Sequence, residues 1–192
     1  MMDMNLNSYI RTQNVFSKKF CGAAVKNIRD IEWSKHNFYE PNKKKEIHIS
    51  GDKELSVGYA RNVMTDSIMD KLHSTIYKYI IGLKMKEWFD GWTGYSLVRY
   101  NQYEVGQTMA IHCDHIYSLF TTESDKKAKG IPVLSIIGVL NDDYEGGELM
   151  FHDKEYETKT GDVIIFPSSF LYPHMVKPVT KGTRYSFVSW VY

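Results

Sequence analysis

From Tyr95 onward the chain is a series of short apolar or alternating runs, each closed by a turn, and this rhythm restricts the fold more than any other feature. Tyr95 to Tyr103 alternates, and Glu104-Val105-Gly106 turns into a second run, Thr108 to Asp114. Val133 to Leu140 is apolar almost throughout, as expected of a strand buried on both faces. Asn141 to Gly147 turns before Glu148 to Phe151, and Thr160-Gly161-Asp162 before Val163 to Phe166. Tyr172 to Lys177 reads as a further strand, Thr180-Lys181-Gly182 as a turn, and Thr183 to Val191 as the last strand. Short strands in this number hide their edges best when closed into a double-sheet jelly roll.

The first half reads differently. Residues 1–16 form an irregular or extended lead with little to bury. Ser17 caps a helix to about Asp30, with Phe20, Ala23, Ala24 and Ile28 at helical spacing. Residues 33–58 read as loop with short strands, one of them near Glu46 to Ser50, and the Lys43-Lys44-Lys45 run as a solvated turn. Thr65 is the cap candidate of a second helix reaching about Phe89, whose stripe is Ile68, Met69, Leu72, Ile76, Tyr79, Ile80 and Leu83. His73, at the edge of that stripe, belongs to packing. The class is therefore α+β: a jelly-roll core over residues 95–192, braced by a helical support region over residues 1–94, in one domain.

Bulk properties narrow the partners. A net charge of +1 offers no footprint for nucleic acid or anionic lipid. Two cysteines, Cys21 and Cys113, make no disulfide framework and fit a reducing compartment. No apolar run approaches the ~20 residues of a membrane span, and Met1 to Arg11 lacks a signal pattern. A cytoplasmic protein is expected.

The chemistry sits on the strands. His112 and Asp114 are two apart, so an extended chain sends both side chains to one face. His174, from a later strand, completes a set of two imidazoles and one carboxylate. That is the facial triad of non-haem Fe(II) oxygenases. It holds iron with a single negative charge and leaves three positions, two for a chelating 2-oxo acid and one for O2. Cys113 should point to the opposite face, and His115 competes as a ligand if the chain bends. Arg184 follows His174 by ten residues, and alternation puts Arg184, Ser186, Val188 and Trp190 on one face. A buried arginine there needs a partner: the distal carboxylate of a dicarboxylate, or an internal Asp or Glu. His36, His48 and His152 lack such context and read as surface or loop residues.

These motifs, in their order, resemble the Fe(II)/2-oxoglutarate-dependent dioxygenases, in particular the prolyl 4-hydroxylase-like branch. The resemblance runs through Arg99-Tyr100, Tyr103-Glu104-Val105-Gly106-Gln107 and His112-Cys113-Asp114. It continues through Leu140-Asn141, Gly146-Gly147-Glu148 and Gly161 to Pro167, and closes on His174 to Val179 with Gly182-Thr183-Arg184. Asp114-His115-Ile116 and Phe170 to His174 are similar to small tailed-phage-encoded members. The resemblance implies a double-stranded β-helix with Fe(II) on His112, Asp114 and His174. It also implies 2-oxoglutarate salt-bridged to Arg184, assisted by the hydroxyl of Tyr103, with Tyr100 the competitor. Departures are Arg184, where collagen-type enzymes have Lys, and Val139, where other prolyl hydroxylases have Tyr; Ser135 or Ser186 is expected to share the contact to the distal carboxylate.

The activity implied is O2-dependent hydroxylation of an unactivated C–H, with release of succinate and CO2 and with ascorbate as a reductant. The expected target is a prolyl or other amino-acid side chain in a peptide. Alternatives are a free amino acid, a nucleobase or a small metabolite, or a non-catalytic jelly-roll metal-binding module. A phage-encoded member would act in the host cytoplasm. Residues 116–130, long and polar, are expected to form a lid over the substrate.

Overall fold

A computed structural model of the chain describes residues 5–36, 38–40, 45–47, 53–89, 92–115 and 131–192, with residues 38–40, 45–47 and 86 as backbone only. The expected lid at 116–130, His48 and most of the lysine run lie outside the described residues. Among the described residues, no helix is long and apolar enough to cross a membrane.

The first half contributes β1 (Arg11–Asn14), α1 (Lys18–Ile28), β2 (Ser34–Lys35), β3 (Phe38–Glu40), β4 (Lys45–Ile47), β5 (Ser56–Gly58) and α2 (Val63–Gly82). The second half begins with β6 (Arg99–Tyr103), β7 (Met109–His112), β8 (Leu134–Val139), β9 (Glu145–Gly146) and β10 (Leu149–Phe151). It ends with β11 (Lys154–Tyr156), β12 (Asp162–Pro167), β13 (His174–Val176), β14 (Val179–Lys181) and β15 (Arg184–Val191). A seven-stranded sheet runs β1-β12-β8-β15-β6-β5-β2, and a four-stranded sheet runs β11-β10-β13-β7. All the strand pairings in both sheets are antiparallel. This is the α+β jelly roll expected.

Two apolar layers hold the sheets, and the alternation of each strand sorts its side chains between them. Leu134, Ile136, Val163, Ile165 and Phe187 face one way, into a cluster shared with the helices. Ile137, Val139, Ile164 and Phe166 face the other way, into a cluster between the two sheets. Burial of every residue of β8 follows, since both of its faces are covered. Gly138 lies where a side chain cannot: an added Cβ would overlap the Phe187 ring of the adjacent strand.

The helices differ from their sequence reading in detail. Ser17 caps α1, its hydroxyl accepting from the Phe20 N–H at 3.2 Å. The buried face is Cys21, Ala24, Val25 and Ile28, whereas Ala23 is exposed. The cap of α2 is Asn62 and not Thr65: Asn62 Oδ1 accepts the Thr65 N–H at 3.0 Å. Thr65 is instead buried, its hydroxyl 2.9 Å from Tyr100 Oη. The helix stops at Gly82 and not near Phe89, because Lys84 turns left-handed (φ 54°) before a short 3-10 turn, Met85–Glu87. His73 is exposed, its ring 5.8 Å from that of Trp92.

Four further readings change. The lead is not idle: β1 pairs with β12 at the sheet edge, with Ile10 and Phe16 buried beside it. Thr180 and Lys181 lie in β14 and not in a turn; the reversal falls on Gly182 (φ 76°). His36 is buried and not on the surface, its Nδ1 3.9 Å from Oε2 of the fully buried Glu54. The strand near Glu46 takes in Lys45, as β4, and residues 48–50 lie outside the described residues.

Gly138→Ala should destabilise the fold by about 1–3 kcal/mol through overpacking, read as a lowered denaturant midpoint. Phe187→Leu in that background should recover part of the loss, since the two sites are in contact. Burial pushes the Cys21 thiol up to about 11, so at pH 8 iodoacetamide should label half-buried Cys113 on the native protein and Cys21 only after denaturation. Peptide mass spectrometry reads both sites.

Candidate metal centre

Strands β7 and β13 are neighbours, and their register sets His112 directly opposite His174. The imidazole centroids lie 4.3 Å apart. Each ring is oriented from behind: Nδ1 of His112 is 2.8 Å from the Ala110 carbonyl and Nδ1 of His174 is 3.2 Å from that of Tyr172. A proton on Nδ1 donating to these carbonyls puts the lone pair that can bind a metal on Nε2 in both rings. The strand ends at His112, and the chain bends at Asp114 to turn its carboxylate inward. Oδ1 of Asp114 lies 3.5 Å from His112 Nε2, and Oδ2 lies 3.9 Å from His174 Nε2. One ligand atom from each of the three falls within 4.8 Å of the others. With metal–ligand bonds of ~2.1 Å, one ion spans the Asp114 separations.

Protonation states match a cation. Burial pushes the Asp114 carboxyl up, but His174, His112 and the Ser135 hydroxyl together outweigh it and hold it well below the usual carboxylate range. Burial lowers His174 to about 4, against the pull of Asp114, so its imidazole is neutral at pH 7. Phe166 meets His174 edge-on at 4.9 Å and Phe151 lies at 5.7 Å, so one side of the ring is shielded from water.

The same cavity contains Arg184, Ser186 and Tyr103. Arg184 is 1% exposed. Its Nη1 donates to Ser186 Oγ at 3.0 Å, and its guanidinium carbon lies 5.0 Å from the centroid of the Tyr103 ring. Nε and Nη2 have no hydrogen-bond partner, and no Asp or Glu pairs with the side chain among the described residues. The internal-carboxylate reading of Arg184 is thereby disfavoured. Leaving buried donors unpaired costs about 1–3 kcal/mol each, which a bound carboxylate would offset. Gly147, at φ 65°, lets the backbone pass close to the Arg184 Cδ.

The remaining candidates separate by strand face. Tyr100 points to the helices and bonds Thr65, whereas Tyr103 is two percent exposed on the cavity wall. Burial raises the Tyr103 phenol even with Arg184 and Arg99 nearby, so it is a neutral donor. Ser135 is 2.8 Å from Ser168 and acts on Asp114, not on Arg184. Among the described residues, His115 and Cys113 stand outside the ligand group, and His152 is exposed on a left-handed turn. Arg99 and Asn101, which also line the cavity, were not singled out from sequence as site residues. Alternation back from Tyr103 was the signal that pointed to them.

Residues 97–192 match the model of the 2OG-Fe(II) oxygenase superfamily. A PKHD-type hydroxylase of Delftia acidovorans is 34% identical over 99 residues, 49% of this chain and 42% of the relative. One from Psychrobacter is 37% identical over 98 residues, 48% of this chain and 36% of the relative. The chain thus spans about two-fifths of the length of these curated relatives. Among solved structures, a prolyl hydroxylase of Trichoplax adhaerens, in complex with a hypoxia inducible factor peptide fragment, is similar with TM-score 0.69 and 16% identity, covering 97% of this chain and 85% of that one. The viral collagen prolyl hydroxylase of Paramecium Bursaria Chlorella virus-1, as its 2OG complex, gives TM-score 0.61 at 16% identity over 95% and 94%. At that identity the structures testify to the fold alone. The sequence match over half the chain decides the family, and the chain belongs to the 2OG-Fe(II) oxygenase superfamily.

Proposed function

We propose that the chain is an iron(II)- and 2-oxoglutarate-dependent oxygenase acting as one domain, and that it hydroxylates an unactivated C–H of an amino-acid side chain, prolyl first among them. One observation carries this reading. Three ligand atoms of the right kinds converge beside a buried arginine that has two unpaired donors. The donor set suits ferrous iron: two neutral imidazole nitrogens and one carboxylate, with no thiolate to favour zinc. The prolyl preference draws on the PKHD-type hydroxylases and on the prolyl hydroxylases of the same fold.

Each residue has a role. His112, Asp114 and His174 hold the metal, and the two carbonyls behind the imidazoles keep the rings in one orientation. Arg184 grips the distal carboxylate of 2-oxoglutarate through its unpaired Nε and Nη2. Ser186 fixes the guanidinium from one side and the Tyr103 ring lies under it. The iron, when bound, lets 2-oxoglutarate and O2 oxidise the C–H, one oxygen atom entering the product alcohol and the other the succinate, with CO2 released. Phe151 and Phe166 limit the access of water to His174. A purely structural metal would require no unpaired arginine beside it, and this disfavours the binding-module reading.

Succinate formation should depend on added Fe(II) and on 2-oxoglutarate. His174→Ala should abolish it. Arg184→Gln should raise the KM for 2-oxoglutarate by about 10- to 100-fold, the worth of a charge-assisted hydrogen bond at ~1.5–3 kcal/mol. A wild-type chain that binds zinc, ignores 2-oxoglutarate and releases no succinate would sink the assignment.

A further inference from the structure

The cavity contains a second guanidinium that the proposed reaction does not use. Arg99 stands at the start of β6, opposite Val188 of β15. Alternation carries it to the same wall as Asn101 and Tyr103. Its Nε donates to Asn101 Oδ1 at 3.2 Å, and its guanidinium carbon lies 5.0 Å from the centroid of the Trp190 ring. The stack and the hydrogen bond hold the side chain in place, and among the described residues the bond from Nε to Asn101 is the hydrogen bond its guanidinium makes. Among the described residues no carboxylate pairs with Arg99; Asp114 acts on it only at longer range. The exposed Tyr59 is another group that acts on it, so this end of the wall faces solvent. Arg184, at the far end, is fully enclosed. Four residues of strand, or about 13 Å at ~3.3 Å per residue, separate Arg99 from Tyr103, whose partner across the sheet is Arg184.

Charge completes the picture, and it rests on the oxygenase reading above. Ferrous iron, a doubly negative 2-oxoglutarate, Asp114 and Arg184 together sum to zero. Arg99 is the charge left over. Arg99 is half-buried; a partly desolvated, uncompensated cation is costly, and a guanidinium fork is suited to a carboxylate. We propose that Arg99 recognises a carboxylate carried by the substrate, so that the chain selects an acidic target: a free amino acid held by its α-carboxylate, or a peptide with Asp or Glu beside the hydroxylated residue. Arg99 is then a specificity residue, separate from the group that binds the co-substrate.

The test uses the full chain loaded with Mn(II) and 2-oxoglutarate in the absence of O2, with binding read by saturation-transfer NMR. Two matched probe sets separate the sources of the carboxylate. The first is the proteinogenic amino acids as free acids and as carboxamides. The second is the doubly blocked tripeptides Gly-Pro-Asp and Gly-Pro-Asn. In at least one set the acid should bind about tenfold or more tighter than its amide, the scale of one charge-assisted hydrogen bond. That preference should vanish in Arg99→Gln and return largely in Arg99→Lys. Unfolding midpoints of both variants separate loss of the Trp190 stack from loss of the charge. Equal binding of acids and amides, a preference that survives in Arg99→Gln, or no binding in either set overturns the proposal. Uptake of 2-oxoglutarate is followed in the same samples: its absence strikes the oxygenase reading, whereas uptake without acid selectivity strikes Arg99 alone.

Discussion

The pairing of two short strands governs the site. In the β7–β13 register, His174 faces His112, and in the β13–β10 register it faces Phe151. A slip of β13 by one residue would turn the His174 imidazole to the outer face of the four-stranded sheet, away from His112. Several contacts hold the register. Val176 pairs with Met109 across a bulge, and both are buried between the sheets. The Thr108 hydroxyl donates to the Val176 carbonyl at 2.6 Å. Asp114 then needs only to leave the strand: its bend gives the third candidate ligand a direction that neither neighbouring strand could supply.

The wall opposite is built on different terms. Strands β6 and β15 present Arg99, Asn101 and Tyr103 against Arg184, Ser186 and Val188, while Tyr100 and Phe187 on their reverse faces enter the helix-side cluster. A layer that carries two guanidinium groups inward must be stabilised from behind. The apolar layer under the helices provides this, with Ile68, Leu72 and Ile76 fully buried in it. The donors left unpaired on Arg184 are then a local cost that the rest of the fold tolerates. Ligand binding to the native state returns that cost as stability.

Sequence pattern was most informative where one strand face had one role. The alternation of Arg184, Ser186, Val188 and Trp190 predicted the cavity wall as found. The same alternation existed in Arg99, Asn101 and Tyr103, yet only the tyrosine was given a role: Arg99 entered the family resemblance with no function attached, and Asn101 did not enter it. Local rules were weaker where two residues competed for one position. Asn62 and Thr65 are both good caps, and the choice turned on Tyr100, a partner 35 residues away in sequence whose hydroxyl draws Thr65 inward. His36 looked like a surface residue because its partner, Glu54, comes near only through the pairing of β2 with β5. Long-range pairing of this kind leaves no periodic trace in a single chain.

The family match begins at residue 97, yet the support behind the wall of the site does not. Strand β5 pairs with β6 from Ser56↔Gln102 to Gly58↔Tyr100, so residues outside the match brace the strand that bears Arg99 and Tyr103. Leu55 is fully buried in the layer between the sheets, and Glu54 bridges to Thr108 just ahead of the first metal-ligand candidate. Tyr59 continues from β5 to the open end of the wall. The residues that line the cavity therefore lie in the matched half, whereas the strand that bears Arg99 and Tyr103 is braced partly by the other half. A change within Glu54 to Tyr59 would thus act on the site through the brace on β6, and not through the residues that line the cavity.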